Sequence, residues 1–144
     1  MNKPDRPGDL EEIFEILVTA YSQRGDAVPG ETDLCWRPAA DAYETDEAFI
    51  VQIELPGLDP TQIEVLADRK NLLVRGIRQD ISGPGKKHFH EMEISVGPFA
   101  RRVALTVPVD PASGMARYRN GFLYVTFRKG PGKEKDRRQI AIDR

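Results

Sequence analysis

The pair Asn120-Gly121, followed by Phe122-Leu123-Tyr124-Val125-Thr126-Phe127, constrains this chain more than any other stretch. Asn and Gly both tolerate positive φ, so the pair signals a tight turn between strands. The residues after it alternate. Leu123, Val125 and Phe127 fall on one face, and Phe122, Tyr124 and Thr126 on the other. Period two with β-branched and aromatic residues predicts a strand. Apolar residues on both faces predict cover on both sides.

The same pattern recurs across residues 36–129. A short strand is predicted at 40–43. The run 49–55 has apolar residues at every odd position, with Gln52 and Glu54 facing out, and Pro56-Gly57 stops it. Residues 62–67 alternate, with Ile63 and Val65 on one face, and a polar turn at 68–71 leads to a strand at 72–77. Residues 99–107 alternate through Phe99, Arg101, Val103, Leu105 and Val107. The stiff connection Pro108-Val109-Asp110-Pro111 precedes a short strand at 115–118. Between these lies 78–87, which holds Gly83-Pro84-Gly85 and reads as a long loop. Residues 87–94 read as a strand with alternating charge. Many short strands separated by turn signals, with almost no helix among them, predict an all-β, immunoglobulin-like β-sandwich.

Two flanks complete the layout: an arm at 1–35 and an extension at 130–144. In the arm, Asp9 and Glu12 form a capping-box-like pair, and Gly25-Asp26 ends the predicted helix. Leu10, Ile13, Phe14, Leu17 and Tyr21 share one face of that helix. A helix of this length is marginal alone in water and needs a surface. That surface is its own domain, another subunit or an unfolded client. The extension is polar and basic from 130 to 138 and reads as an exposed, flexible tail, yet it ends in Ile140-Ala141-Ile142.

A length of 144 residues supports one domain with short extensions. The net charge of −2 gives no electrostatic reason to expect a nucleic-acid partner. Cys35 is the single cysteine, so no disulfide framework forms within the chain, which suits a reducing compartment. No basic segment followed by an apolar stretch opens the sequence, and no apolar run is long enough to span a membrane. The expected location is cytoplasmic.

Competing chemistry is sparse. His88-x-His90 on a strand would share one face while Glu91 and Glu93 share the other, which is at best half a zinc site. There is no Gly-x-Ser-x-Gly, no phosphate-cradling glycine loop and no dinucleotide fingerprint. No enzyme activity, cofactor or metal is expected. Arg101 and Arg102 alternate faces, so only one of them points inward.

The order of several short motifs resembles the α-crystallin domain of small heat-shock proteins. They are Trp36-x-Pro38, Asp41 and Glu44-Thr45, Glu54-Leu55-Pro56-Gly57-Leu58, and Leu73-Val74-x-Gly76. Gly97-x-Phe99-x-Arg101-Arg102, Pro108-Val109-Asp110 and Ala116-x-Tyr118-x-Asn120-Gly121-Phe122-Leu123 continue the series. Phe122 stands where the family more often has Val, and Thr126-Phe127-Arg128-Lys129 replaces Leu-Pro-Lys; both changes keep the strand.

The resemblance implies an ATP-independent holding chaperone that binds partly unfolded clients and assembles as an oligomer of dimers, with possible hand-over to ATP-dependent chaperones. It implies that Lys87, His88, Phe89, His90 and Glu91 reach across to a partner subunit. It also implies that Arg101 or Arg102 supports the dimer, and that Ile140 and Ile142 form a C-terminal anchor. Side chains two apart on an extended tail point the same way, so both isoleucines can enter one groove. Ile63 and Val65 offer an apolar row at the same spacing, with Met115 on the other wall. Clients would meet Leu10, Ile13, Phe14, Leu17 and Tyr21 and the groove between 62–67 and 113–118. The alternative is a p23-like co-chaperone or another β-sandwich interaction module. The p23-like class usually lacks the Ile-x-Ile anchor and the long loop.

Overall fold

A computed structural model describes residues 35–131 and 138–143. Among them, strands β1 (Ala40–Glu44), β2 (Ala48–Glu54), β3 (Ile63–Ala67), β4 (Asn71–Arg78) and β5 (Gly97–Ala104) come first. Then follow β6 (Met115–Arg119), β7 (Phe122–Arg128), β8 (Arg138–Gln139) and β9 (Ile142–Asp143). They form a five-stranded sheet ordered β1-β2-β7-β6-β9 and a four-stranded sheet ordered β5-β4-β3-β8.

The Asn120-Gly121 pair turns the chain as its residue types dictate, with φ of 53° and 83°. It sets the β6–β7 register at Arg119 opposite Phe122. β7 then pairs with β2 so that Phe49 meets Phe127, Val51 meets Val125 and Ile53 meets Leu123. All six side chains are buried. They face Val65, Leu72, Val74 and Phe99 of the other sheet in one hydrophobic cluster. Each fully buried side chain of this size contributes about 1.5–3 kcal/mol. The outward trio Phe122, Tyr124 and Thr126 is only half-buried, so the expected two-sided cover of β7 is not found among the described residues. A single sheet face filled by Leu123, Val125 and Phe127 is enough to hold the strand.

At two places the chain crosses from one sheet to the other along the side of the sandwich. At one edge the Trp36 N–H donates to Pro98 O (3.1 Å) and the Ala100 N–H donates to Trp36 O (3.2 Å), beside β5. Four residues later the chain joins the other sheet as β1. At the opposite edge β8 lies antiparallel to β3, and β9 lies parallel to β6. The stretch 138–143, which carries the expected Ile140-x-Ile142 anchor, contributes a strand to each sheet. It is the only described part of the extension that pairs with both.

Candidate functional site

The seat of the tail is built by β3 and β6. The Ile140 N–H donates to Val65 O at 2.8 Å. Gln139 stands opposite Leu66, and Ile142 opposite Ala116. Ile140 is 8% exposed and joins the core cluster that holds Ile63 and Val65. Ala141 is exposed, and Ile142 packs half-buried against the same cluster. The alternation expected of an extended tail is thus present. Met115 differs from expectation. It shares the outward face of β6 with Arg117 and Arg119, is 66% exposed, and only borders the mouth of the seat. The wall beside Ile140 is Gly114, where an added Cβ would lie 2.6 Å from Ile140 Cδ1.

This seat holds weakly for physical reasons. Burying two isoleucines contributes at most about 3–6 kcal/mol, and Ile142 is only half-buried. Ordering the backbone costs roughly 1–2 kcal/mol per residue. Over 138–143 that cost exceeds the side-chain gain, and the ladder hydrogen bonds to β3 and β6 offset part of the difference, so an engaged tail is only marginally held.

The second surface is the loop between β4 and β5. Its feet are neighbours, since Arg78 pairs with Gly97. Residues 79–96 contain no strand, and Lys87, His88, Phe89, His90 and Glu91 are exposed. The strand expected at 87–94 is absent from the single chain, where these residues join neither sheet. Ile81, Phe89, Met92 and Ile94 are 81%, 50%, 69% and 77% exposed. Large apolar side chains clustered in solvent mark a contact surface. The Asp80 carboxylate accepts from the Ser82 N–H (2.9 Å) and hydroxyl (2.6 Å). These bonds hold its pKa below the usual carboxylate value. β1, four-fifths of it exposed, pairs with β2 on one side only among the described residues.

Arg78 clasps the loop. Its guanidinium donates to Ser95 O (3.0 and 2.6 Å) and Pro56 O (3.3 Å), and its Cζ lies 4.2 Å from the ring centroid of Trp36. The Trp36 indole N–H in turn donates to Gly97 O. Arg78→Met should cost about 1–2 kcal/mol, mostly by loss of the cation–π stack and charge-assisted bonds at a partly exposed site. Trp36 is the single tryptophan, so its emission should shift and the loop should be cut faster by protease. Unchanged emission and cutting rates would contradict this role.

Of the two arginines on β5, Arg101 lies on the side of Phe99 and Val103, while Arg102 is exposed. Arg101 Nη1 donates to Pro38 O at 3.4 Å, and its buried Nε has no hydrogen-bond partner. Burial, then the charge of Arg37, lowers its pKa from the usual guanidinium value. Arg101 therefore sits, partly desolvated, at the edge where β1 begins.

The helical stripe Leu10, Ile13, Phe14, Leu17 and Tyr21 lies outside the described residues. Among the described residues no group of three or more His, Cys, Asp and Glu side chains is placed to hold a metal, and no helix is long and apolar enough to cross a membrane. Sequence reasoning missed Gly114 and the Arg78–Trp36 clasp. The signal for Gly114 was a glycine at a strand start, where close backbone approach is common. Nothing local marked Arg78, because its partners lie 17 to 42 positions away.

The model of the Hsp20/alpha crystallin family matches residues 41–143. Small heat shock protein C2 of Rickettsia felis is 30% identical over 131 residues, covering 90% of this chain and 84% of the relative. The crystal structure of hspA from Xanthomonas axonopodis superposes with a TM-score of 0.60 at 37% identity, covering 67% of this chain and 97% of that one. A small heat-shock protein from Xylella fastidiosa, described as having a distinct high order structure, gives 0.59 at 32% identity, covering 73% and 96%.

Proposed function

This chain belongs to the Hsp20/alpha crystallin family, and on that premise we propose that it holds partly unfolded proteins without nucleotide, as an oligomer of dimers. The small heat shock proteins of this family are non-enzymatic chaperones. The observation that carries the finer reading is the seat between β3 and β6, which takes a short tail strand through backbone bonds to both sheets. Such a seat accepts the tail of a neighbouring copy by the same contacts that it makes with its own. One engagement is weak, but many in a closed assembly add through effective concentration.

The dimer in this reading forms when 87–91 of one copy pairs with the free edge of β1 in another. Backbone hydrogen bonds supply the contact, so the polar side chains Lys87, His88, His90 and Glu91 are tolerated, and Phe89 brings apolar area. Arg101, beside that edge, supports the dimer. Clients meet the apolar stripe of the arm (Leu10, Ile13, Phe14, Leu17, Tyr21) and the seat when the tail leaves it. Hand-over to ATP-dependent chaperones and a cytoplasmic location belong to the same reading.

Size-exclusion chromatography with in-line light scattering tests it. The full chain should elute as a large assembly with an even subunit number, and a heated client added to the run should move into that peak. A monomer that leaves the client behind would favour a p23-like module instead.

A further inference from the structure

We propose that Gly114 sets which side chain the tail seat accepts, selecting a branched aliphatic that carries a δ-carbon at position 140. Gly114 has φ −58° and ψ 130°, a backbone that any residue adopts. What the position requires is space. An added Cβ would lie 2.6 Å from Ile140 Cδ1, 3.0 Å from Phe127 Cε1 and 3.2 Å from Pro111 O. The first of these distances is one that real Cβ atoms do not show. The missing Cβ is therefore the hole that the terminal methyl of Ile140 fills, with the Phe127 ring and the Pro111 carbonyl beside it. Valine differs from isoleucine by that one carbon. A valine tail leaves the hole empty, and an alanine at 114 drives the terminal methyl of Ile140 out of it while admitting valine unshifted. The partner that fits is an extended segment with isoleucine at this place, donating its N–H to Val65 O, whether it comes from this copy or another.

This deepens the anchoring role proposed above and rests on it only for the biological use of the seat. The test is hydrogen exchange by mass spectrometry on 138–143 in four full-length proteins: the parent, Gly114→Ala, Ile140→Val and the double variant. Exchange reads seating in either the same or a neighbouring copy. In the parent background, Ile140→Val should lower protection roughly fourfold, as loss of one buried methylene-sized group implies. Gly114→Ala should lower it about tenfold or more, as overpacking implies. In the alanine background the order should invert, with valine several-fold better protected than isoleucine.

Full protection in Gly114→Ala, or a further loss on adding Ile140→Val, would overturn the proposal. If Gly114→Ala fails to fold by circular dichroism, folding of the double variant supports the proposal. Failure of both shows that Phe127 rather than the tail limits the site, and overturns it. Assembly size is read separately. Inversion without any change in size keeps the selectivity and removes the anchoring role, while a size change without inversion does the reverse.

Discussion

Replacing both tail isoleucines, Ile140→Ala with Ile142→Ala, is expected to reduce the large assembly to dimers while the β-sheet circular dichroism signal persists. Ile140 is buried in the cluster formed by both sheets, and Ile142 packs against it. Removing the two side chains takes away at most about 3–6 kcal/mol per engaged tail, before the cavity relaxes. Each engagement lies near balance against the cost of ordering the tail, so that loss empties the seat. The domain itself keeps β2 and β7, whose pairs Phe49–Phe127, Val51–Val125 and Ile53–Leu123 are made without any tail residue. Dimers survive because the contact assigned to them lies at the opposite edge, beside β1. Elution at the parent's size would show that the tail stays on its own domain and that assembly rests on the arm at 1–35.

Deletion of residues 80–91 is expected to yield monomers, read by analytical ultracentrifugation. Arg78 and Gly97 pair across the loop base, so residue 79 and 92–96 suffice to join β4 to β5. The sandwich should therefore fold with unchanged thermal stability to within about 1 kcal/mol, as surface loop changes usually allow. What is lost is Phe89, half-exposed in the single chain, along with Ile81 and the backbone that would pair with β1. A deletion variant that remains a stable dimer would place the dimer contact elsewhere.

Most of the sandwich was legible because alternation reports burial directly. Phe49, Val51 and Ile53 are buried while Gln52 and Glu54 are not fully so, as period two requires. The Asn120-Gly121 turn was legible because few residue pairs adopt two positive φ values cheaply. The tail was harder. Ile140-Ala141-Ile142 showed which side chains share a face, but the opposing wall is set by contact between distant segments. Met115 is apolar and lies at the right place in sequence, yet β6 turns it outward, and Gly114 supplies the wall by having no side chain. The stretch 87–94 forms no strand in the single chain, because alternating charge marks period two but a strand exists only where an edge is there to receive it. Arg101 rather than Arg102 faces inward, a choice fixed by the parity of Phe99 and Val103 once β5 is placed.

Light scattering from a heat-denatured test protein, with and without equimolar subunits of this chain and with no nucleotide present, tests the central claim most directly. The account predicts that scattering is suppressed and that added ATP leaves the suppression unchanged. Scattering equal to that of the test protein alone, or suppression that appears only when ATP is added, would contradict it.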